Sequence, residues 1–194
     1  PTHRKGAKIL LVGEAPGEEE EKKGEGFVGK SGDLLRHILR MGGIAWEECS
    51  LTNVVKRRPP RNDFEKEFYV TEKVKGKKQV RPTEELLAWQ AALASELREW
   101  EGNIVVAVGN RALQALCGVS GIYGYQGSIL DSCLVQGRKV IPLVHPAATL
   151  HGGNWQQVYL SGRIAERIRR EAESPEIVRA PYTVMTDPTR DEVA

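Results

Sequence analysis

Apolar and polar positions along the chain follow two alternating spacings. Four short runs rich in β-branched and other apolar residues predict strands buried in a parallel sheet, and they cover residues 8–12, 51–55, 103–108 and 139–144. Between them, apolar residues recur at helical spacing, which predicts helices over residues 31–41, 83–100, 110–118 and 155–173. The alternation predicts a single α/β domain, a three-layer sandwich with a mostly parallel four-stranded central sheet and helices on both faces.

Two segments depart from this alternation. Residues 56–82 have no sustained period and contain Pro59-Pro60 and Gly76, so we expect an extended loop or a small excursion, with residues 64–82 as a basic insertion. Prolines interrupt residues 174–194, which we expect to be a tail, or a linker to a further domain, after a domain spanning residues 1–173.

Composition narrows the class of protein. The chain has 194 residues, of which 40% are hydrophobic, and this is enough to build one packed domain. Its net charge is +2. Residues 56–81 hold ten basic and four acidic side chains, which favours a polyanionic partner. There is no signal peptide and no apolar run of transmembrane length, so we expect an intracellular protein with no membrane association.

The three cysteines indicate neither a disulfide framework nor a metal site. Cys49, Cys117 and Cys133 are odd in number, widely spaced and set in apolar contexts. We expect them to be core thiols in a reducing compartment.

Polar side chains stand where three of the predicted strands end. Glu14 lies in the turn of residues 13–17, Asn53 ends the second strand, and His145 follows the last. Parallel strands bring these positions to one edge of a sheet, where open α/β sheets bind ligands. Taken singly, each also has a structural interpretation: an Asn that caps a strand, a His bonded to backbone, and, over residues 18–21, an exposed acidic loop.

Five motifs in register resemble the uracil-DNA glycosylase superfamily, most closely its family 4, the group usually built around an iron–sulfur cluster. They cover most of residues 8–170 in the right order: GEAPG (13–17), GFVGKSGDLL (26–35), LTNVVKRRPPRN (51–62), IVVAVGNRAL (104–113) and HPAATL (145–150). The resemblance implies a monofunctional uracil-DNA glycosylase of base excision repair. Such an enzyme flips deoxyuridine out of DNA and hydrolyses its N-glycosidic bond.

The resemblance also implies roles for individual residues in catalysis. Asn53 would read uracil, because an amide can accept from N3–H and donate to O4, whereas cytosine presents the opposite pattern. Phe27 would stack on the flipped base. His145 would stabilise the negative charge that develops on uracil O2.

A carboxylate is needed to position the attacking water. In the best-known branch of the superfamily an Asp does this, but the matching residue here is Ala15, which is expected only to line the substrate site. We therefore expect Glu14 to hold the water, with Glu20 as the second candidate. The alternative for Glu14 is that it orders the loop through backbone amides.

A further set of residues is expected to contact DNA. Arg57, Arg58 and Arg61 would hold phosphates, and Asn62 would support the uracil loop. Side chains just beyond the HPAA turn would fill the gap left by the flipped base. The remaining expected DNA contacts are Ser31, Ala147, Leu150 and His151. The basic insertion of residues 64–82 departs from the family pattern, and is interpreted either as additional DNA contact or as a disordered segment.

The cluster cysteines of family 4 have no counterparts here. The first eight residues contain no Cys, Arg57 stands where the third ligand is expected, and Trp89 lies near the fourth. We therefore predict that the iron–sulfur cluster is absent, that there is no cofactor or metal, and that Trp89 and Trp100 fill the space by packing.

Two other functions stay open. The domain could be a uracil- or DNA-binding module that has lost turnover, within a larger replication or repair protein. A nucleotide-phosphate enzyme is weakly supported, because neither GxxxxGK[ST] nor GxGxxG follows the first strand. The expected partner is uracil-containing DNA, bound by a monomer or by one domain of a larger polypeptide or replication complex.

Overall fold

A five-stranded sheet forms the centre of the computed structural model, which describes residues 1–74, 77–150 and 154–178. The strands of the protein are β1 (Ile9–Gly13), β2 (Cys49–Asn53), β3 (Tyr69–Val74), β4 (Lys77–Pro82), β5 (Ile104–Val108), β6 (Leu130–Asp131) and β7 (Lys139–Leu143). The strand order of the central sheet is β2-β1-β5-β7-β6. The first four of these run parallel, and β6 pairs antiparallel with β7.

Helices cover both faces of the sheet, so the predicted three-layer α/β sandwich is confirmed. The helices are α1 (Glu18–Lys23), α2 (Gly29–Met41), α3 (Phe64–Phe68), α4 (Glu84–Glu99), α5 (Asn110–Cys117), α6 (Ile122–Tyr125), α7 (Ala147–Leu150) and α8 (Trp155–Glu171). On one face of the sheet, Leu10, Val12 and Val105 pack in a core with residues of α4 and α5. On the other face, Ile9 and Leu11 pack with residues of α2 and α8.

The sheet has one strand more than predicted. The additional strand, β6, is only two residues long and pairs at the edge through Leu130–Val140 and Asp131–Lys139. It forms the first arm of an antiparallel hairpin whose second arm is β7. A two-residue strand is too short to show a periodic pattern in the sequence.

The acidic stretch after β1 is a helix, so the expectation of an acidic loop is wrong there. In α1, Lys22 lies 2.6 Å from Glu18 and Lys23 lies 3.6 Å from Glu19. Both pairs have the i,i+4 spacing that supports an exposed helix. Helix α1 directly follows the turn that carries Glu14.

The basic insertion folds into a short helix and a hairpin. Asp63 caps α3 by accepting from the Lys66 N–H at 3.1 Å, and Phe64 and Phe68 are buried. Strands β3 and β4 then pair antiparallel from Tyr69–Pro82 to Val74–Lys77, with most of their side chains exposed. The insertion therefore packs against the core through α3, and most of the hairpin that follows is exposed to solvent.

The expected boundary at residues 173–174 falls near the end of the described chain. Residues 174–178 are in neither helix nor strand, and the rest of the expected tail lies outside the described residues. No helix in the described ranges is long and apolar enough to cross a membrane.

Candidate active site

The polar strand ends meet at the carboxyl edge of the sheet, as the alternation predicts. Gly13 and Asn53 are paired neighbours at the ends of β1 and β2. Gly109 directly follows β5, and His145 stands two residues after β7. All four strand ends point to the same edge because β1, β2, β5 and β7 are parallel.

Gly13 brings the Asn53 amide and the Phe27 ring together. A Cβ on Gly13 would lie 2.3 Å from Asn53 Oδ1 and 2.9 Å from Phe27 Cζ. Only a residue without a side chain leaves room for both groups. The amide and the aromatic ring therefore converge on the bare Cα at the end of β1.

Phe27 is held in an unusual backbone conformation. Its φ is +55°, a region that residues with a side chain seldom adopt. Gly32 allows the turn, because a Cβ there would lie 1.8 Å from the Phe27 carbonyl oxygen. The ring also packs edge-on against Trp46 at a centroid distance of 6.4 Å. Strain that packing holds in place is common at ligand sites.

The Asn53 side chain has no hydrogen-bond partner within the described part of the chain. Its backbone carbonyl, by contrast, accepts from Lys56 Nζ at 2.7 Å. Lys56 also binds Thr52 Oγ1 at 2.7 Å and Glu96 at 2.8 Å, so it ties the end of β2 to α4. The backbone is fixed while the amide remains able to bind a ligand.

His145 is poised as a neutral hydrogen-bond donor. Its Nδ1 accepts from the Ala147 N–H at 3.2 Å, which leaves the proton of a neutral imidazole on Nε2. Burial lowers the pKa of His145 and so favours this neutral form. Gly109, with φ +96°, lies against the histidine, since a Cβ on it would be 3.2 Å from His145 Cβ.

The two candidate carboxylates have different surroundings. Glu20 Oε1 accepts from the Val28 N–H at 3.1 Å, so Glu20 supports the loop that carries Phe27. Glu14 makes no side-chain hydrogen bond to the described residues. Burial raises the pKa of Glu14, and the nearby Arg111 charge opposes this shift. Of the two, Glu20 orders a loop and Glu14 is unengaged.

Two adjoining cavities contain most of the predicted residues. The smaller, about 390 Å³, is lined by Phe27, Asn53, Arg57 and Arg58. Both cavities are bordered by Pro16 and Glu20. The larger, about 610 Å³, is lined by six further predicted residues, which are Glu14, Ala15, Ser31, Asn62, His145 and Ala147.

Arg57 is bound to carboxylates. It contacts both oxygens of Glu85 on α4, at 2.6 and 2.7 Å, and pairs with Glu67 on α3. Trp89 donates to the same Glu85 at 3.3 Å. The phosphate role of Arg57 stays a prediction, beside a structural role in joining two helices to the end of β2.

Among the other predicted DNA contacts, Arg58 lines the smaller cavity, whereas Arg61 and Leu150 line neither. Arg58 donates to Asn62 Oδ1 at 2.8 Å and approaches Glu18 at 3.4 Å. Arg61 is exposed, and the Leu150 side chain is 43% exposed. His151 lies outside the described residues.

Sequence reasoning missed two residues beside Glu14. Arg111 approaches the rings of Phe64 and Tyr69, with its guanidinium carbon 5.8 and 5.6 Å from their centroids. Burial and the neighbouring Glu14 charge raise the pKa of Tyr69. Arg111 lies in one of the five motifs, which was the available signal. Tyr69 lies in the insertion, where no pattern marked it.

The chain is similar to several proteins named type-4 uracil-DNA glycosylase. The chain is 36% identical over 148 residues to the type-4 uracil-DNA glycosylase of Thermotoga maritima, covering 74% of this chain and 66% of that protein. It is 32% identical over 162 residues to the type-4 uracil-DNA glycosylase of Archaeoglobus fulgidus, covering 80% of this chain and 73% of that protein. The chain thus spans about two thirds to three quarters of their length.

A more distant relative belongs to another class. The chain is 26% identical over 158 residues to the DNA polymerase of Bacillus phage SP01, covering 80% of this chain and 15% of that protein.

The similarity to type-4 enzymes corrects the prediction that the protein has no cofactor. It aligns this chain with the group that the resemblance associates with an iron–sulfur cluster, which contradicts that prediction. The cysteines themselves do not fit such a group: no set of three or more His, Cys, Asp or Glu in the described ranges could hold a metal. Cys49 is buried, but Cys133 is exposed, so the expectation of core thiols is wrong for Cys133. The cofactor is therefore not established.

The profile of the Uracil DNA glycosylase superfamily matches residues 1–159. That range contains all five motifs and every catalytic and substrate-binding residue predicted from them. The chain belongs to the uracil-DNA glycosylase superfamily.

Proposed function

We propose that this protein is a monofunctional uracil-DNA glycosylase, which flips deoxyuridine out of DNA and hydrolyses its N-glycosidic bond. The observation that carries the proposal is the convergence of the unengaged Asn53 amide and the Phe27 ring on Gly13. An amide selects a base edge and a ring stacks on a base face, so together they suit a planar base.

Recognition of uracil would depend on Asn53. Its Oδ1 would accept from uracil N3–H, and its Nδ2 would donate to O4. Cytosine has an acceptor and a donor at these positions, so both hydrogen bonds would be lost. The anchor of the Asn53 carbonyl by Lys56 supports this role, because it holds the strand end in one position.

His145 would stabilise the departing base. When the bond between C1′ and N1 breaks, the electron pair stays with uracil and charge develops on O2. The Nε2–H of a neutral imidazole would donate to that oxygen. Such a donor strengthens as charge develops, and therefore lowers the barrier rather than only improving substrate binding.

Glu14 would position and deprotonate the water that attacks C1′. Its carboxylate would take one proton, and the hydroxyl oxygen would bond to the sugar. The raised pKa of Glu14 makes it a better proton acceptor than an exposed carboxylate. Arg111, whose charge acts on Glu14, would keep enough of it ionised.

The experiment is alkali-revealed cleavage of a labelled oligonucleotide with one deoxyuridine, and with thymidine at that position as the substrate control. We expect cleavage at uracil only, reduced on the order of 100-fold or more in Asn53→Ala and in His145→Ala. Cleavage that is equal in the native protein and both variants would contradict the assigned roles.

The similarity to a segment of a phage DNA polymerase favours a second candidate function, a DNA-reading module within a replication protein. The same experiment separates the two functions. Tight binding of uracil-containing DNA with no product at high protein concentration would support the module and refute the enzyme.

A further inference from the structure

The β3–β4 hairpin has two opposed lysines that the proposed site does not use. Lys73 and Lys78 are directly paired across the hairpin, and both are exposed. Like charges in directly opposed positions destabilise a strand pair. Within the described ranges, neither lysine has an ion pair. A stable hairpin with this arrangement is suited to an anionic ligand.

The two faces of the hairpin differ in charge. Side chains alternate between faces along a strand, so Lys73 and Lys78 share a face with Tyr69, Thr71 and Val80. The described positions on that face include no carboxylate. On the opposite face, Arg81 is paired with Glu72 at 2.6 Å. The face of Lys73 and Lys78 therefore holds two positive charges without an ion pair, whereas the described part of the opposite face holds one, on Lys77, beside the Arg81–Glu72 pair.

The lysine face continues from the proposed active site. Tyr69, at the base of the same face, lies beside Arg111, and the Glu14 charge acts on it. Lys73 is four residues further along the strand, about 13 Å from Tyr69 at ~3.3 Å per residue. B-DNA rises ~3.4 Å per base step, so this distance corresponds to about four base steps.

We propose that Lys73 and Lys78 bind the phosphate backbone of duplex DNA about four base pairs to one side of the flipped nucleotide. The location relative to that nucleotide rests on the proposed function, whereas the binding of duplex DNA does not. The hairpin thereby extends the contact between protein and DNA on one side of the flipped nucleotide.

The first experiment measures affinity for an undamaged duplex at several salt concentrations. Lys73→Gln/Lys78→Gln is compared with Lys5→Gln/Lys8→Gln, which removes the same charge at the amino end of β1, on the opposite edge of the sheet. The association constant K decreases as salt increases. We expect the magnitude of the slope of log K against log salt concentration to be smaller by about 1.8 in the hairpin variant than in the native protein, at ~0.9 per phosphate contact. The control variant is expected to keep the native slope.

The second experiment measures kcat/KM on uracil duplexes whose flanks are shortened one at a time. Shortening one flank below about four base pairs should abolish the difference between native protein and the hairpin variant. Shortening the other flank should leave the difference in place.

Three results would overturn the proposal: an unchanged slope in the hairpin variant, an equal change in the control, or a kinetic difference independent of both flanks. If the native protein excises no uracil, the proposed function fails. The salt titration on undamaged DNA then still decides whether the hairpin binds DNA.

Discussion

At the scale of single residues, the carboxylates of Glu14 and Glu20 differ in what they bind. Glu20 accepts from the Val28 N–H, whereas Glu14 makes no side-chain hydrogen bond in the described chain, and burial raises the pKa of Glu14. Buried, unengaged carboxylates are suited to general-base catalysis. These surroundings support our proposal that Glu14 activates the water, while Glu20 supports the loop through its hydrogen bond to Val28.

This assignment is tested by Glu14→Gln and Glu20→Gln. Glutamine cannot take the proton from water, so Glu14→Gln should lower kcat by about 10²- to 10⁴-fold. A Gln at position 20 can still accept from Val28 N–H, so Glu20→Gln should stay close to native activity. Single-turnover excision of uracil at saturating protein measures both. The reverse order of effects would assign the water to Glu20.

The placement of Asn53 and His145 at one edge of the sheet could be predicted, because parallel strands bring their carboxyl ends together. Their roles stay predictions. The difference between Glu14 and Glu20 could not be predicted, because it depends on one hydrogen bond to Val28 and on the charge of Arg111, almost a hundred residues away in sequence.

At the scale of elements, the site depends on the register of β1 and β2. Gly13 and Asn53 are paired across these strands, and Phe27 precedes α2. Three separate segments thus meet at one Cα. A side chain at position 13 would therefore displace the groups that the other two segments bring there.

Gly13→Ala tests this junction. The new Cβ would lie 2.3 Å from Asn53 Oδ1, so the amide and the ring must move. Misplacement of catalytic groups by ~1 Å can cost about 100-fold in rate, and we expect a loss of that order in kcat/KM for uracil excision.

Gly26→Ala is the matched control for Gly13→Ala. The nearest atom to its new Cβ, Leu51 Cβ, would be at 3.8 Å, an ordinary contact. It should therefore retain near-native kcat/KM although it is next to Phe27. A loss in Gly26→Ala as large as in Gly13→Ala would mean that the whole loop, and not the Gly13 junction, is sensitive.

The elements that were predicted well are those with a buried face. β5 and α4 differ from the prediction by only one residue or so at each end, because their apolar residues pack in the core. The β3–β4 hairpin was predicted as a loop, since both of its faces are mostly exposed and leave no alternation of apolar and polar residues. Helix α1 shows a local signal, the i,i+4 Glu–Lys pairs, that the sequence interpretation passed over.

At the scale of the whole molecule, alternation of strands and helices was sufficient to predict the layers of the fold. It could not predict which contacts join the segments on either side of the insertion. Arg57 and Glu85 are 28 residues apart, and their contact joins the end of β2 to α4. Such a link depends on the folded geometry of both segments, and neither segment contains a pattern that specifies its partner.

The stability of the whole molecule should also reflect the proposed site. Burial raises the pKa of Glu14 above its usual value of 4.5, so ionising this group is costlier in the folded state than in the unfolded state. Between 4.5 and the raised pKa the folded protein keeps a proton that the unfolded chain has lost. Stability from this group therefore falls as pH rises through that window, and the full cost persists above it.

Glu14→Gln should consequently be more stable than the native protein at pH 8 and equal to it at about pH 3, where the native carboxyl is protonated in both states. Urea unfolding across this pH range measures the difference, and the other titrating groups cancel in the comparison. The variant would then gain stability while it loses catalysis, as expected for a group that serves function at the expense of the fold. A variant less stable than the native protein at pH 8 would show instead that attraction between Glu14 and Arg111 outweighs the cost of burial.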